Sequence, residues 1–166
     1  LHTRRVWFFP GALQVDCHGN INLTRVRLKD GSEMQGPGAA GLAYSAAMAR
    51  RFFVYMHEHS VRSFVERLDY LTAVGWGDGP GSREKLRLRG GGPALVVSPR
   101  AVMDFDERTR RLRLRSVHPG QTVEEVQANT GFELVVPPRV PETPPPTEHE
   151  LALLRGHVDR DGVLRH

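Results

Sequence analysis

Gln35-Gly-Pro-Gly-Ala-Ala-Gly41 begins the stretch of sequence that decides the fold. The Ala- and Met-rich residues that follow predict a helix over Ala39–Arg50, with its N-terminus in this Gly-rich loop. Phe52–Met56 is a short run of aromatic and β-branched residues, which predicts a central strand. The alternating segment Asn22–Leu28 predicts a half-buried strand before the loop. Strand, helix and strand in this order form a βαβ-type unit, which favours an α/β fold with some parallel pairing.

A second motif, Val15-Asp-Cys-His-Gly-Asn-Ile-Asn22, precedes this unit. The apolar segments Val6–Phe9 and Ala12–Val15 lead into it and predict a buried strand that is bent between them. The Gly-Asn pair of the motif reaches positive φ at little energetic cost, so a turn is expected there. Strand, turn, strand, Gly-rich loop and helix together predict a site for an anion or a thioester.

The second half of the chain begins with a long irregular segment, Gly75–Gly92, of the kind that is usually functional or disordered in a compact domain. Further strands are predicted over Ala94–Ser98, Val102–Phe105, Arg111–Val117 and Phe132–Val136. The second and third of these strands are expected to form a hairpin.

Two capping boxes mark the remaining helices, Thr122 with Glu125 and Thr147 with Glu150. The first of these helices is predicted to end with Gly131 as its C′ residue. We therefore predict an α/β domain over residues 1–136, an extended Pro-rich linker over 137–146, and a C-terminal helix and tail over 147–166.

Composition limits the classes of function. The length of 166 residues corresponds to about one domain, and the net charge is +4. Basic and acidic residues are interleaved, which argues against nucleic acid as a partner. No apolar run approaches the roughly 20 residues of a membrane helix. The single cysteine, Cys17, cannot form an internal disulfide, and a cytoplasmic location is expected.

Several motifs in one order resemble the β subunit of family I CoA-transferases, of the glutaconate CoA-transferase type. They are Val15-Asp-x-x-Gly-Asn-x-Asn22, the Gly-rich loop, His57-Glu-x-x-x-Arg-x-Phe-Val-x-Arg-x-Asp-Tyr-Leu-Thr72, Gly75-Trp-x-Asp-Gly-Pro80, Val102-Met-Asp-Phe-Asp106, Val117-His-Pro-Gly-Gln-Thr122 and Val126-x-x-Asn-Thr-Gly-Phe-Glu133. The resemblance implies a three-layer α/β/α fold with a mostly parallel sheet. It also implies an α subunit of related fold, with the active site between the two subunit types.

The chemistry implied by the resemblance uses a glutamate carboxylate as nucleophile. It attacks an acyl-CoA to give an acyl-glutamyl anhydride, and the coenzyme A thiolate then forms a glutamyl thioester. In the family this glutamate lies upstream of the Asp16–Asn20 segment. This chain begins with Leu1, too late to contain it, so the catalytic residue is unknown here and an N-terminal part is predicted to be missing. Coenzyme A enters as a substrate, with no permanently bound cofactor.

The resemblance also points to binding residues within this chain. Gly36, Gly38, Ala39 and Ala40 are expected to form the substrate and oxyanion loop, with backbone N–H groups at a helix N-terminus. Ala39 stands where the family pattern has glycine, so a positive φ there would be strained. The alternative is a tight strand-to-helix turn.

Asn20 and Trp76 are candidate ligand or interface contacts. The alternative for Trp76 is an aromatic residue that fixes the position of a long loop.

Other candidates carry weaker signals. Glu33 is the carboxylate nearest the loop but does not match the nucleophile position. His57 and His59 have a metal-like spacing without a third ligand, so no metal site is predicted. Cys17 has no adjacent base pattern. The alternating cations Arg83, Lys85, Arg87 and Arg89 can meet coenzyme A phosphates or simply face solvent.

The sequence thus predicts the β subunit of a CoA-transferase that moves coenzyme A between carboxylic acids and is inactive on its own. Its expected partners are an α subunit, an acyl-CoA and a carboxylic acid, with no nucleic acid or membrane. The alternatives are a CoA-ester hydrolase of the steroid-ring degradation type on the same scaffold, or a non-catalytic subunit that completes a partner's site.

Overall fold

The computed structural model describes residues 6–163, so the outermost parts of the first and last predicted segments lie outside the described range. Its strands are β1 (Trp7–Phe8), β2 (Gln14–Val15), β3 (Ile21–Asn22), β4 (Arg25–Arg27), β5 (Glu33–Gln35), β6 (Arg51–Tyr55), β7 (Pro93–Val97), β8 (Ala101–Phe105) and β9 (Leu112–Val117). Its helices are α1 (Leu42–Met48), α2 (Ser82–Lys85), α3 (Val123–Ala128) and α4 (Glu148–Leu153), and a π-helical turn over Leu154–Val158 continues α4.

The main sheet has five strands in the order β1-β6-β7-β8-β9. β6 is parallel to both β1 and β7, whereas the β7–β8 and β8–β9 pairs are antiparallel. The link between β7 and β8, residues 98–100, is too short for the crossover that parallel neighbours need. The predicted α/β class is confirmed, and the sheet is mixed rather than mostly parallel.

Helix α1 lies between the parallel strands β1 and β6 along the chain, so the predicted βαβ unit exists with a different first strand. The predicted strand Asn22–Leu28 is divided between β3 and β4, which belong to separate two-stranded sheets, β2–β3 and β4–β5. Helix α1 is shorter than the predicted Ala39–Arg50. It begins after Gly41, which has a left-handed φ of 81°, and it ends where Ala49 takes an extended conformation.

The apolar segment at the start of the chain is bent, as predicted, but only its second part is buried. β1 is the first strand in the order of the main sheet, which leaves Trp7 54% and Phe9 69% exposed. Their rings flank Phe53 at centroid distances of 5.4 and 4.9 Å. β2 instead pairs with β3 in a hairpin that buries Val15 and Ile21 completely.

The hydrophobic core joins the β2–β3 hairpin to the main sheet. Its largest fully buried apolar side chains are Val15, Ile21, Phe52, Val54, Phe64, Val96, Met103, Leu112, Leu114 and Val126. Burial of this apolar area is the main stabilising contribution to the domain. Every helix within residues 6–163 is too short or too polar to cross a bilayer.

Both predicted capping boxes are present. The Thr122 hydroxyl accepts a hydrogen bond from the Glu125 N–H, and the Glu125 carboxylate accepts one from the Thr122 N–H. Thr147 and Glu150 make the same reciprocal pair at the start of α4. These local patterns were therefore sufficient to locate both helix starts.

The end of α3 differs from the prediction. The helix ends at Ala128, with Asn129 as its C-cap, and Gly131 is not among the residues with positive φ. Gly131 instead lies against Phe64, whose carbonyl oxygen would be 2.5 Å from an added Cβ. The predicted strand Phe132–Val136 is reduced to a single parallel bridge at Val135.

The Pro-rich segment is extended, and part of it is hydrogen-bonded to the main sheet. The Val117 N–H donates to the Pro141 carbonyl at 3.1 Å, and the Thr143 N–H donates to the Val117 carbonyl at 2.7 Å. The Thr143 hydroxyl lies 2.7 Å from Ser116 Oγ and 3.0 Å from His118 Nδ1. This part of the segment therefore runs along β9 instead of standing free of the sheet.

Candidate functional site

The tip of the β2–β3 hairpin is organised by the Asp16 carboxylate. Its Oδ1 accepts hydrogen bonds from the His18 N–H at 2.9 Å and the Asn20 N–H at 3.0 Å, and its Oδ2 accepts one from Asn20 Nδ2 at 2.7 Å. Burial raises the pKa of Asp16 and outweighs these bonds, which lower it. Gly19 has a φ of 67°, and an added Cβ there would come within 2.6 Å of the Phe105 ring. The tip is therefore a rigid turn.

Asn20 joins this turn to the irregular segment that follows residue 74. Its Oδ1 accepts hydrogen bonds from the Gly75 N–H at 2.8 Å and the Gly77 N–H at 3.1 Å. Its Nδ2 donates to Asp16 and, at 2.9 Å, to the Gly77 carbonyl. These four bonds use the whole capacity of the amide. The geometry gives Asn20 a positioning role, and the ligand or interface contact stays a prediction.

Trp76 lies in the segment that Asn20 holds, so the structure brings these two predicted residues together. Its backbone N–H donates to the His18 carbonyl at 2.9 Å. Its ring meets Phe105 edge-on at a centroid distance of 6.2 Å, and its buried Nε1 has no hydrogen-bond partner in the part of the chain that the structure describes. The Arg110 and Arg51 guanidinium carbons lie 4.4 and 5.7 Å from the ring centroid.

A cleft of about 550 Å³ lies between the hairpin tip and the loop of residues 66–71. Its charged lining has four carboxylic side chains and one guanidinium: Asp16, Glu66, Asp69, Asp78 and Arg67. This charge balance disfavours a polyanionic ligand in the cleft itself.

The loop wall of the cleft is fixed to the hairpin by a polar network. Asp69 Oδ2 accepts hydrogen bonds from Gln14 Nε2 at 2.8 Å and the Arg27 N–H at 3.0 Å. Gln14 Oε1 in turn accepts from Asn22 Nδ2 at 2.8 Å and the Asp69 N–H at 3.1 Å. The sequence reasoning missed this wall because the partners are far apart along the chain.

The predicted oxyanion loop packs at the open end of the same hairpin. The Gly36 N–H donates to the Thr24 carbonyl at 2.7 Å, and the Gly38 N–H donates to the Leu23 carbonyl at 3.0 Å. A Cβ at Gly36 would lie 2.6 Å from both Leu13 Cδ1 and the Leu23 carbonyl oxygen. Gly36 is therefore needed for close backbone approach.

The three backbone N–H groups that follow Gly38 have no hydrogen-bond partner in the part of the chain that the structure describes. They are the N–H groups of Ala39, Ala40 and Gly41. The strained alanine is Ala40, with a φ of 40°, and not Ala39. Gly38, with a φ of 86°, has open space around it.

The Gly-rich loop and the Asn20–Trp76 cluster occupy different ends of the β2–β3 hairpin. The loop meets Leu13 and Leu23, where the hairpin opens, whereas Asn20 lies at its tip. None of the lining residues of the cleft comes from the loop. The structure therefore does not bring all the predicted site residues together.

The histidine pair is not arranged as a metal site. His59 is buried, with Nδ1 at 2.7 Å from Ser98 Oγ, Nε2 at 3.0 Å from Thr130 Oγ1, and its ring stacked on Phe64. Burial, with a smaller effect from Arg100, lowers the pKa of His59 to about 4. Among the described residues, no group of three or more His, Cys, Asp or Glu side chains is placed to hold a metal ion.

The other weak candidates have structural surroundings of their own. Glu33 pairs with Arg25 at 3.3 Å, on the exposed β4–β5 hairpin. Burial raises the pKa of the Cys17 thiol, which disfavours the nucleophilic thiolate.

The Arg83 side chain is buried and is not available to bind a phosphate. It is 3% exposed and donates to backbone carbonyls, including those of Gly75 at 2.8 Å, Ala46 at 3.0 Å and Gly90 at 3.1 Å. The interpretation of Arg83 as part of an exposed phosphate-binding run is therefore wrong, because its donors are taken up by the protein.

Comparison with known proteins places this arrangement in a family. Residues 2–129 match the family model described as Coenzyme A transferase. The B subunit of glutaconate CoA-transferase from Acidaminococcus fermentans is 36% identical over 158 residues, which are 95% of this chain and 58% of that protein. The B subunit of 3-oxoadipate CoA-transferase from Pseudomonas knackmussii is 37% identical over 147 residues, which are 89% of this chain and 56% of that protein. The chain thus spans less than three fifths of the length of these two curated relatives.

A hydrolase subunit and a solved structure are also similar to this chain over most of its length. The cholesterol ring-cleaving hydrolase IpdB subunit from Rhodococcus jostii is 31% identical over 153 residues, covering 90% of this chain and 58% of that protein. The crystal structure of glutaconate coenzyme A-transferase from Acidaminococcus fermentans superposes with a TM-score of 0.85 at 34% identity, over 96% of this chain and 61% of that chain. This chain belongs to the coenzyme A transferase family.

Proposed function

We propose that this chain is part of the β subunit of an enzyme that transfers coenzyme A between carboxylic acids through a glutamyl-CoA thioester. The observation that carries the proposal is the match to the corresponding subunits of two CoA-transferases at 36% and 37% identity. The nucleophilic glutamate is expected upstream of the Asp16–Asn20 turn, and this chain alone is expected to be inactive.

In the proposed reaction, a carboxylate oxygen of that glutamate attacks the acyl-CoA carbonyl. The C–S bond breaks, which gives an acyl-glutamyl anhydride and coenzyme A thiolate. The thiolate then attacks the glutamyl carbonyl, releasing the first carboxylic acid and leaving a glutamyl thioester. The second acid reverses these two steps and leaves as the new acyl-CoA.

We propose that the Gly-rich loop stabilises the tetrahedral intermediates of these steps. The free N–H groups of Ala39 and Ala40 are the donors, because those of Gly36 and Gly38 already bond to carbonyls of the protein. Gly36 supplies the close approach and Gly38 the left-handed turn that present the two amides.

The proposal includes an α subunit of related fold, with an acyl-CoA and a carboxylic acid as substrates. It includes no permanently bound cofactor, and the free Cys17 supports a reducing compartment such as the cytoplasm. Residues 1–136 are proposed as the transferase domain, 137–146 as a connecting segment, and 147–166 as a C-terminal appendage.

The second candidate is a hydrolase on the same scaffold, acting on a CoA ester or opening a ring, and it is favoured by the similarity to the IpdB subunit of a cholesterol ring-cleaving hydrolase. In that case water replaces the acceptor acid. The loop amides keep the same role, since hydrolysis also passes through an oxyanion.

The test uses the full-length protein, co-purified with the polypeptide encoded beside it. The complex is assayed for transfer from acetyl-CoA to a panel of dicarboxylates, and intact mass is used to trap a glutamyl thioester. Transfer with a trapped thioester supports the proposal. Thioester hydrolysis without transfer supports the second candidate, and the absence of both reactions contradicts both.

A further inference from the structure

Two guanidinium groups meet on the Trp76 indole without an acidic partner. The guanidinium carbons of Arg110 and Arg51 lie 4.4 and 5.7 Å from the ring centroid. Among the described residues, no ion pair is found for Arg51 or Arg110, whereas Arg25 pairs with Glu33 and Arg113 pairs with Asp104. Like charges held together without a carboxylate favour the binding of an anion.

The backbone holds Arg110 in place at the tip of the β8–β9 hairpin. Arg110 has a left-handed φ of 58°, a conformation that hairpins usually give to Gly or Asn. Asp106 accepts hydrogen bonds from the Thr109 N–H and hydroxyl at 2.8 Å, and the Arg110 carbonyl lies 3.0 Å from His18 Nδ1. An arginine in this strained conformation agrees with a function for its side chain.

The donors of this pair are largely unused, in contrast to those of Arg83. The Arg110 side chain donates no hydrogen bond to another described residue, while Arg51 donates one, to the Gly91 carbonyl. Burial and the nearby charges of Arg110 and Arg50 lower the pKa of Arg51, which agrees with an incompletely compensated positive cluster. A guanidinium on an aromatic face keeps its in-plane N–H groups available to oxygen ligands.

We propose that Arg51 and Arg110, placed on the indole of Trp76, bind a phosphate group of coenzyme A. The inference rests on the proposed function and extends it to the recognition of the donor. The thiol and the phosphates of coenzyme A lie at opposite ends of its pantetheine arm, so the phosphates must bind away from the oxyanion loop. The arginine pair lies beside the hairpin tip, while the loop lies at the open end of that hairpin. The acid-lined cleft is a poorer phosphate site than the arginine pair.

The test compares three acyl donors in the full-length complex: acyl-CoA, acyl-dephospho-CoA without the 3′-phosphate, and acyl-pantetheine without any phosphate. Arg51→Gln and Arg110→Gln are the test variants. Arg25→Gln is the matched control, because Arg25 also lies over an aromatic ring, that of Tyr70 at 5.1 Å, but has its own carboxylate partner. Each test variant is expected to raise KM for acyl-CoA by roughly 10- to 100-fold with little change in kcat, and the control to leave both unchanged.

The three donors separate the two phosphate sources. If the pair binds the 3′-phosphate, the preference of the wild type for acyl-CoA over acyl-dephospho-CoA disappears in the variants. If it binds the pyrophosphate, the preference for acyl-dephospho-CoA over acyl-pantetheine disappears instead. Unchanged preferences overturn the inference. If the variants also separate from the partner subunit on sedimentation, the arginine pair binds acidic side chains of that subunit and not a phosphate.

Calorimetry distinguishes failure of this inference from failure of the proposed function. The Kd of coenzyme A is measured for the same complexes, whether or not they turn over. Weaker binding in both variants supports the site even if no transfer is found, and an unchanged Kd overturns it even if transfer is fast. Arg110→Lys, which keeps the charge, replaces the glutamine variant if that variant does not fold, and is expected to lose part of the same preference.

Discussion

Replacing Asn20 with alanine separates a positioning residue from a ligand contact. Asn20 is 7% exposed and makes four hydrogen bonds through its amide. The substitution leaves the Gly75 and Gly77 N–H groups, the Gly77 carbonyl and one Asp16 oxygen without this partner. At about 1 kcal/mol for each lost bond, with more where a group stays buried and unpaired, we expect unfolding to become easier by about 3–5 kcal/mol.

That change is a large share of a total stability of roughly 5–15 kcal/mol. It corresponds to a Tm lowered by about 10 °C in a protein of this size. Urea unfolding of the full-length protein, followed by tryptophan fluorescence, measures the free-energy change. Hydrogen exchange at the Gly75 and Gly77 amides measures the local effect, since both amides lose their acceptor.

Asn129→Ala is the control, because the half-buried Asn129 side chain donates a single hydrogen bond to the Glu125 carbonyl. We expect it to change stability by about 0.5 kcal/mol or less. An Asn20→Ala protein with wild-type stability and unchanged amide protection, but weakened binding of acyl-CoA, would refute the positioning role. It would support the ligand contact expected from the sequence.

Three further changes test other parts of the structure. His59 is held neutral with a pKa of about 4, below the unfolded value of 6.5, so its stabilising effect is present above pH 6.5 and lost as the pH falls towards 4. Urea unfolding between pH 7 and 4 should show a loss of about 3 kcal/mol that is absent in His59→Gln and retained in the exposed control His57→Gln. Gly38→Val should lower kcat of the complex at least tenfold, because a β-branched residue is strained at the left-handed φ of this position. Gly31→Val is the control and should leave kcat unchanged, since Gly31 also has a left-handed φ and open space around it but lies on a different turn. Arg83→Met should lower stability by roughly 3 kcal/mol or more in chemical denaturation, because several buried carbonyls lose their donor, and a loss below 1 kcal/mol would contradict its structural role.

The features that could be predicted from the sequence are those set by neighbouring residues. Thr122 and Thr147 start helices because the partner of each lies three positions along the chain. The strands β6 to β9 follow from apolar runs and alternation within a few residues. The edge position of β1, which exposes Trp7 and Phe9, depends on the order of strands in the sheet and has no local signal.

The candidate site was less predictable because its contacts connect distant positions. Asn20 bonds to Gly75 and Gly77, whose separation from it along the chain is 55 and 57 residues. Arg83 has the same surroundings in the sequence as an exposed cation, but the carbonyl of Ala46 bonds to it from a separation of 37 residues. Residue type and spacing suggested ligand contacts in both cases, and only the tertiary contacts reveal the hydrogen bonds that these side chains make within the protein. The ligand or interface contact of Asn20 stays a prediction.

The motif Val15-Asp-x-x-Gly-Asn-x-Asn22 thus contributes to recognition of the family without contributing an obvious reacting group. Asp16 and Asn20 are occupied by the turn and by the segment beyond residue 74, and Asn22 is fully buried, bonded to Gln14 and the Arg25 carbonyl. Side chains whose hydrogen-bonding capacity is used by the protein have little left with which to select a substrate. Under the proposed function, transfer and hydrolysis can therefore share this turn, and we expect other residues to select the acyl group.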